Sequence, residues 1–404
     1  MKLLSVAGWL YPDQEGGSFR VVYEAGRRLA RRGHEVHVLT QRLRPDHAAE
    51  EELAGMRVHR YATAAPRGVG FYLSTFRQVR RQVDRLQAAV GFEAVHLHHP
   101  VAARAANRAA SIRRLPRITM LYVPYFLEYV DRHTYDPRTG RQRGLSPARW
   151  PVAAALRRLE GANLRRSDRV VVLSDFSRRL LERHYPRCAG KAVRLPGGAD
   201  LEEFRSQPSR AEARSRLGLA EEPPIFLACR RLEHRMGVVE LVDAAARLRQ
   251  AGREARVLIA GRGALEGVLR ERIARHGLED CVRLLGFVPA EALPLHYRAA
   301  DCVVMPTRAL EGFGLVSAEA LASGTPVLGT PVGATPEILE PLEPRLVAED
   351  ATGEGLCRGM ERFLDELAAE PGLSERCRAY AEQHLSWDRL ADGLEELFGE
   401  LVAH

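Results

Sequence analysis

The chain has 404 residues, of which 46% are apolar and 28% are charged, and its formal net charge is +8. This length and composition are those of an ordinary soluble globular protein with room for two hydrophobic cores. The sequence contains no apolar run near the roughly 20 residues that a membrane-spanning helix needs. Its six cysteines have no paired spacing, which indicates reduced thiols in a cytoplasm and no metal site.

Charge is distributed unevenly along the chain. Residues 1–205 hold 37 Lys+Arg against 20 Asp+Glu, and the remaining residues hold 23 against 32. The arginines of segments 76–87 and 104–117 are spaced for the exposed face of a helix. Two interpretations stay open: a solvated surface in an arginine-rich protein, or a surface for an anionic acceptor or an anionic membrane. No nucleic-acid partner is expected.

Short apolar strands alternate with amphipathic helices in two successive runs. The opening "MKLLSVAGWLYP" lacks a small-residue cleavage site after it, so it predicts a buried first strand rather than a signal peptide. A polar stretch, 205–222, predicts a linker that carries one helix. The expected fold is α/β, with two doubly wound parallel-sheet domains and a ligand site at the carboxyl ends of the strands. The predicted strands are 2–8, 35–40, 94–99, 117–123 and 169–174, and then 224–230, 255–261, 282–287, 302–306 and 325–330.

Two glutamates flank a Gly-Phe-Gly turn in "LEGFGLVSAEALASGTPVLGTPVGATPEIL", 310–339. The preceding "DCVVMP" predicts a buried strand, and "LVSAEALAS" predicts a short helix that ends at Gly324. A helix N-terminus behind a glycine turn suits a phosphate. Glu311 and Glu319 would repel phosphate, but they can accept hydrogen bonds from sugar hydroxyls. The pattern therefore predicts a nucleoside diphosphate sugar, and a capped helix with two solvated glutamates is the alternative.

This stretch resembles the E-x7-E signature of retaining glycosyltransferases of family 4, which have the GT-B architecture of two Rossmann-like domains. Further matches follow in the family's order over essentially the whole chain, among them "RRGHEVHVLT", "PGGADLEEF", "AGRGALEGVL" and "YRAADCVVMPT". The resemblance implies an acceptor-binding domain over 1–205 and a donor-binding domain over 206–385. It also implies that a helix at 386–404 crosses back onto the first domain.

The resemblance further implies roles for individual residues. Glu319 would hold the ribose hydroxyls, and Glu311 would hold the hydroxyls of the transferred sugar. The base would be recognised near 284–288, around Leu285. The remaining donor-side residues are the loop and helix start Gly312, Phe313, Gly314, Leu315 and Val316, the first-helix glycines Gly16 and Gly17, and Gly261 and Gly263 of "AGRGALEG".

One departure concerns the cations that neutralise the diphosphate. Relatives commonly carry G-R-L-x-x-x-K-G, whereas this chain reads "RRLEHRMG", with Arg231 at the arginine and Met236 at the lysine position. A departing nucleoside diphosphate develops negative charge, so a second cation is needed. Our hypothesis is that Arg235 supplies it, with Arg230 as the second candidate.

A second departure concerns the acceptor side. Many relatives place a histidine after the fourth strand, where this chain has Tyr122. His98 in "HLHHP" is a candidate substitute, and Glu128 lies in an aromatic and arginine-rich segment, 125–150, that could cover the acceptor. That segment could equally be a solvated loop.

The resulting hypothesis is a retaining, metal-independent hexosyltransferase that needs no cofactor beyond its nucleotide-sugar donor. UDP-sugars are expected first and GDP-mannose next, with a glycan, lipid-linked or small-molecule acceptor. We expect a cytoplasmic location, with peripheral association at the inner membrane face left open. Alternatives are natural-product glycosylation and a catalytically silent sugar-nucleotide-binding protein. A dehydrogenase leaves both glutamates unexplained, and a phosphorylase lacks a suitably placed lysine for pyridoxal phosphate.

Overall fold

The fold is described from a computed structural model, which covers residues 1–64, 68–136 and 142–403. The chain divides into two compact units. The first unit contains 1–127, 148–197 and 387–404, and the second contains 128–147 and 198–386. Among residues 1–64, 68–136 and 142–403, no helix is long and apolar enough to cross a membrane.

Each unit contains one β-sheet. The strands of the first unit are β1 (Lys2–Val6), β2 (Glu35–Gln41), β3 (Glu50–Leu53), β4 (Met56–Tyr61), β5 (Ala94–Leu97), β6 (Arg117–Met120), β7 (Arg169–Val172) and β8 (Ala192–Arg194). The strands of the second unit are β9 (Ile225–Cys229), β10 (Arg256–Ala260), β11 (Val282–Gly286), β12 (Cys302–Met305) and β13 (Val327–Gly329).

Helices connect the strands in both units. The α-helices are α1 (Gly17–Arg31), α2 (Gly68–Val90), α3 (Pro100–Ala106), α4 (Tyr125–Thr134), α5 (Trp150–Arg166), α6 (Asp175–His184), α7 (Arg210–Arg216), α8 (Val238–Gln250), α9 (Glu266–Arg275), α10 (Leu293–Ala299), α11 (Leu315–Ala322), α12 (Thr335–Leu339), α13 (Gly353–Arg362), α14 (Leu373–His384) and α15 (Trp387–Ala403). A π-helical turn, Phe363–Leu367, and a short 3-10 turn, His234–Met236, complete the elements used below.

The first sheet has the strand order β3-β4-β2-β1-β5-β6-β7-β8 among the described residues. All of its pairs are parallel except β3 with β4. Strands β1 and β7 are apolar runs because helices cover both faces of a parallel sheet. The chain direction across the sheet reverses between β1 and β5, so the carboxyl ends of these two strands form a topological switch point.

The second sheet is parallel throughout its described strands, in the order β11-β10-β9-β12-β13. Its core includes Phe226 of β9, Val303 of β12 and Phe363, each at most 1% exposed. The switch point of this sheet lies between β9 and β12, which pair directly. The segments that leave these two strands, from Arg230 and from Pro306, therefore start side by side.

The C-terminal helix α15 packs against α1 in the first unit. Trp387 is 2% exposed, and Phe398 contacts the ring of His96. Arg32, the C-cap of α1, pairs with Asp392 at 2.6 Å and with Glu395 at 3.0 Å. Buried aromatics and charge pairs thus tie the end of the chain to its first helix.

The sequence predicted ten of the strands and the linker helix, but its domain boundaries differ from the compact units of the structure. The linker carries α7, as expected. The sequence-based boundaries differ from the contact-based units at two places, since 128–147 and 198–205 cluster with the second unit. Strands β3, β4 and β8 were not predicted. The β3 sequence "EEEL" is charged, and the β8 sequence "AVR" is short. The candidate loop 125–150 contains 137–141, which lie outside the described residues.

Candidate active site

The loop that follows β12 places Glu311 next to the start of α11. Leu310, which precedes Glu311, has a φ of 57°, a left-handed conformation that costs a leucine backbone strain. Gly314, with a φ of 93°, is the N-cap of α11. The first backbone N–H groups of α11 have no partner within the helix, so they can donate to an anion. The predicted turn and helix are therefore present.

Glu311 is held from one side by two protein groups. Arg230 Nη2 lies 2.6 Å from Glu311 Oε2, and the Thr307 hydroxyl donates to the same oxygen at 3.1 Å. The other oxygen, Oε1, accepts no hydrogen bond from the described residues. Burial raises the pKa of Glu311, but the charge and hydrogen bond of Arg230 outweigh burial and hold the pKa below its ordinary value. The carboxylate is thus ionised, oriented and able to accept a ligand hydroxyl.

The turn after β13 supports the backbone of Glu311. Gly333 has a φ of 68°, and a Cβ at this position would lie 2.3 Å from the carbonyl oxygen of Glu311. The Ala334 N–H donates to that carbonyl at 2.9 Å. The Pro-Val-Gly-Ala segment of the sequence pattern is therefore a backbone support for the glutamate.

Glu319 lies on α11 and is oriented from the core. The hydroxyl of Tyr297, a side chain with no exposed surface, donates to Glu319 Oε2 at 2.9 Å. Burial and the nearby carboxylate of Glu319 raise the pKa of Cys229 to about 12. Buried polar side chains of the second unit thus orient both glutamates of the signature.

The predicted arginines have different surroundings. The side chain of Arg231 is 51% exposed and pairs with Glu233 at 3.2 Å. The side chain of Arg235 is 11% exposed, donates to the Leu310 carbonyl at 3.2 Å, and lies 3.5 Å from Glu128. Glu128, an acceptor-side candidate, therefore contacts a donor-side arginine within the second unit.

Gly261 and Gly263 allow close packing against the segment after β9. A Cβ on Gly261, whose φ is 139°, would lie 1.8 Å from the carbonyl oxygen of Arg230. A Cβ on Gly263 would lie 2.4 Å from the carbonyl oxygen of Leu232. Both glycines thus fix the path of the arginine-bearing segment. Leu285 is half-buried in β11, the edge strand beyond β10.

In the first unit, two of the acceptor-side candidates, Tyr122 and His98, lie together at the start of α1. The Tyr122 hydroxyl donates to the carbonyl of Ser18 at 3.2 Å, and His98 Nδ1 lies 2.9 Å from the Tyr122 oxygen. Burial, with His96 adding to it, lowers the pKa of His98 far below its ordinary value, so its ring is neutral. Gly16, with a φ of 153°, and Gly17 begin the same helix. His98 directly follows β5, at the switch point of the first sheet.

The first unit also contains a groove of about 1030 Å³ between α2, the loop after α3 and the end of α5. We call it the arginine groove. None of its arginines forms an ion pair with a described residue, and its Asp84 accepts hydrogen bonds from Ser111 instead. Leu73 on its edge is 68% exposed. The arginines that line it are Arg77, Arg80, Arg81, Arg108, Arg113 and Arg166.

Sequence reasoning missed Tyr297 and Thr307 and ranked Arg230 second. Tyr297 lies 22 positions before its partner, and no local pattern links the two. Thr307 and Arg230 follow adjacent strands at the switch point, which is the one signal that could have joined them. Across the described parts of the chain, no group of three or more His, Cys, Asp or Glu side chains is placed to hold a metal ion.

Comparison with protein families places both halves of the chain among sugar transferases. The model of glycosyltransferase family 4 matches residues 15–203, and the model of glycosyl transferases group 1 matches residues 209–384. The two matched regions together leave little of the chain uncovered.

Individual relatives give the same assignment. The D-inositol 3-phosphate glycosyltransferase of Nocardiopsis dassonvillei is 28% identical over 96% of this chain and 90% of its own length. The GDP-mannose-dependent alpha-(1-6)-phosphatidylinositol monomannoside mannosyltransferase of Mycobacterium tuberculosis is 29% identical over 61% of this chain and 64% of its own. The sucrose-phosphate synthase structure from Thermosynechococcus elongatus superposes with a TM-score of 0.83 over 100% of this chain and 99% of its own, at 23% identity. The fold is GT-B, as the sequence predicted.

Proposed function

The chain belongs to the glycosyltransferases of family 4, and we propose that it transfers a hexose from a nucleoside diphosphate sugar to an acceptor hydroxyl with retention of anomeric configuration. The observation that carries this proposal is the geometry of Glu311. Its Oε2 is held by Arg230 and Thr307, while its Oε1 is left for a sugar hydroxyl. The start of α11 beside it offers backbone N–H groups to the diphosphate.

Glu319 supports the nucleotide part of the same proposal. Its position on α11, eight residues after Glu311, places a second carboxylate near the proposed diphosphate site. Tyr297 orients that carboxylate from the core, so the carboxylate can accept hydrogen bonds from the ribose hydroxyls. Two fixed carboxylates and a helix start are the groups that a sugar, a ribose and a diphosphate between them require.

The proposed reaction is a displacement on the face of the leaving group. The bond between the sugar C1 and the diphosphate oxygen breaks, and its electron pair stays on that oxygen. The acceptor oxygen forms the new bond to C1, and its proton passes to the departing oxygen. Because that oxygen gains negative charge, arginines near the loop stabilise the transition state without a metal ion.

The experiment that tests this proposal follows the anomeric centre. UDP-glucose and GDP-mannose are each offered with water and then with D-inositol 3-phosphate, and the early product is observed by NMR before mutarotation. Retention and unchanged turnover in EDTA are expected. An inverted product, or activity that disappears in EDTA and returns with Mg²⁺ or Mn²⁺, would contradict the proposal.

For the donor we propose UDP-sugars first and GDP-mannose second. The mycobacterial relative is named for GDP-mannose, which makes that donor the main competitor. The acceptor we propose belongs to cell-envelope glycan or glycolipid synthesis. The phosphatidylinositol in the name of the mycobacterial relative supports a lipid acceptor. The D-inositol 3-phosphate in the name of the Nocardiopsis relative makes a small-molecule acceptor the main competitor.

We also propose that the first unit associates with anionic membrane surfaces through the arginine groove. Six arginines that form no ion pair with a described residue line it, and an exposed leucine lies on its edge. Burial lowers the pKa of the neighbouring Arg104, and the positive charges of Arg108 and Arg166 lower it further. Anionic headgroups would neutralise that charge, and lipid chains would cover the leucine.

A further inference from the structure

We infer that Arg230, rather than Arg235, supplies the second cation of the donor site, and that it takes the place of the family's lysine, which Met236 has replaced. This inference rests on the proposed function. In that pattern a glycine precedes the arginine and a lysine stands five residues after it, whereas this chain has Arg230 and Met236 at those positions.

The two side chains meet at one point. Arg230 Nη2 lies 2.9 Å from the sulfur of Met236, and Arg230 Nη1 lies 3.4 Å from the sulfur of Met305. A thioether is uncharged and a weak acceptor, so neither methionine neutralises the guanidinium, whose ion pair among the described residues is with Glu311. The guanidinium of Arg230 therefore lies next to the side chain of Met236, the position at which the family pattern has its lysine.

The guanidinium of Arg230 is buried and keeps donors for a ligand. Its side chain is 7% exposed, and its oxygen partners, Thr307 at 2.9 Å and Glu311 at 2.6 Å, both bind Nη2. The buried Nε has no hydrogen-bond partner among the described residues. A guanidinium has five N–H groups and binds phosphate oxygens readily. A diphosphate oxygen would satisfy Nε–H, which nothing in the described protein does.

The backbone around Arg230 is built to aim this side chain. Gly261 packs so closely against the Arg230 carbonyl that any side chain there would collide with it. Glu311 and Thr307 then fix the guanidinium itself. Because β9 and β12 pair directly, the arginine and the glutamate loop leave the sheet side by side.

Arg235 has a different part in this arrangement. Its Nη1 donates to the carbonyl of Leu310, the residue with the left-handed backbone, and its other Nη faces Glu128. Its contacts fix the loop in front of Glu311, so we assign it as a positioning residue. Arg230 and Arg231 then act on the diphosphate directly.

The test compares UDP and GDP with uridine and guanosine, because the nucleosides lack the diphosphate. Binding by calorimetry is measured for the wild type, Arg230→Gly, Met236→Lys and the double variant Arg230→Gly/Met236→Lys, which restores the family pattern. We expect Arg230→Gly to weaken diphosphate binding by about 10- to 100-fold, as for other hydrogen bonds to charged groups, while nucleoside binding changes little. The double variant should recover most of the lost affinity.

Several outcomes separate the possibilities. Unchanged diphosphate binding in Arg230→Gly, or a double variant no better than Arg230→Gly, overturns the inference while leaving the proposed function intact. If Arg230→Gly does not fold, Arg230→Gln and the double variant give the same comparison. A wild type that binds none of UDP, GDP, ADP and dTDP refutes the proposed function, and the inference with it.

Discussion

The hydroxyl of Tyr297 donates a hydrogen bond to Glu319 Oε2 at 2.9 Å, and it does so from the interior of the second unit. Burial first, and then the Glu319 carboxylate, raise the pKa of Tyr297 well above its ordinary value, so the phenol keeps its proton and remains a donor. A fixed donor on one oxygen orients the carboxylate before any ligand arrives. Because of this hydrogen bond, the Glu319 carboxylate is a preorganised acceptor.

The first prediction concerns this hydrogen bond. Tyr297→Phe should weaken nucleotide binding by roughly 10-fold, because a hydrogen bond to a charged group contributes about 1.5–3 kcal/mol and its loss frees the carboxylate from one orientation. Calorimetry with the nucleoside diphosphate measures it. Tyr380→Phe, in α14 of the same unit, is the matched control and should bind like the wild type. Equal affinities for Tyr297→Phe and the wild type would show that Glu319 needs no orientation from the core.

The second prediction is a pH dependence of stability. The pKa of Glu311 in the folded protein lies below its ordinary value of 4.5, so its ionised form stabilises the fold above that value. The stabilisation is lost as the pH falls through the folded pKa. Urea unfolding between pH 6 and 3 should therefore lose free energy more steeply for the wild type than for Glu311→Gln. Glu340→Gln, at an exposed site, should follow the wild type, and parallel curves for all three proteins would contradict the assignment.

The third prediction uses the strained backbone of Leu310. Leu310→Gly should have a melting temperature close to that of the wild type, because glycine tolerates the φ of 57° but loses more entropy on folding. Leu310→Val should melt lower, since a β-branched side chain tolerates this conformation worst. Turnover should fall in Leu310→Gly as Glu311 loses its rigid support. Thermal melts that rank valine above glycine would exclude strain at this position.

The fourth prediction concerns the arginine groove. Arg77→Glu/Arg80→Glu/Arg81→Glu should reduce sedimentation with phosphatidylglycerol vesicles, while donor binding stays unchanged. The control triple Arg158→Glu/Arg183→Glu/Arg187→Glu changes the net charge equally, at exposed sites of the same unit outside the groove. It should still sediment. Binding to phosphatidylcholine vesicles alone, or equal losses in the two triples, would refute a specific anionic surface.

Sequence reasoning reached the strands of both sheets because buried parallel strands are nearly continuous apolar runs. It also predicted the Gly-Phe-Gly turn and the helix α11, because glycine and a helix start have local signatures. Strand β3 was not predicted, because its three glutamates are typical of no strand pattern. It pairs antiparallel with β4 at the edge of the sheet. Local pattern therefore suffices where burial or turn chemistry dictates the residue types.

The contacts that decide the chemistry were not available to such reasoning. Arg230 and Glu311 are 81 positions apart, and their 2.6 Å contact depends on the pairing of β9 with β12. The sequence hypothesis preferred Arg235 because it adjoins the missing lysine in the chain, whereas spatial position favours Arg230. The sequence offered His98 as a substitute for the histidine that Tyr122 replaces, but it did not predict that His98 Nδ1 lies 2.9 Å from the Tyr122 oxygen. Non-local contacts of this kind require the strand order.

The most direct test of the central claim is a thermal-shift panel of UDP, GDP, ADP and dTDP, each with and without a hexose, on the wild type and Glu319→Ala. A ligand at a hundred times its dissociation constant adds about 2.7 kcal/mol of stability. If Glu319 holds the ribose of the donor, one nucleotide series should raise the wild-type melting temperature and fail to raise that of Glu319→Ala. No shift with any nucleotide, or an equal shift in both proteins, would contradict it.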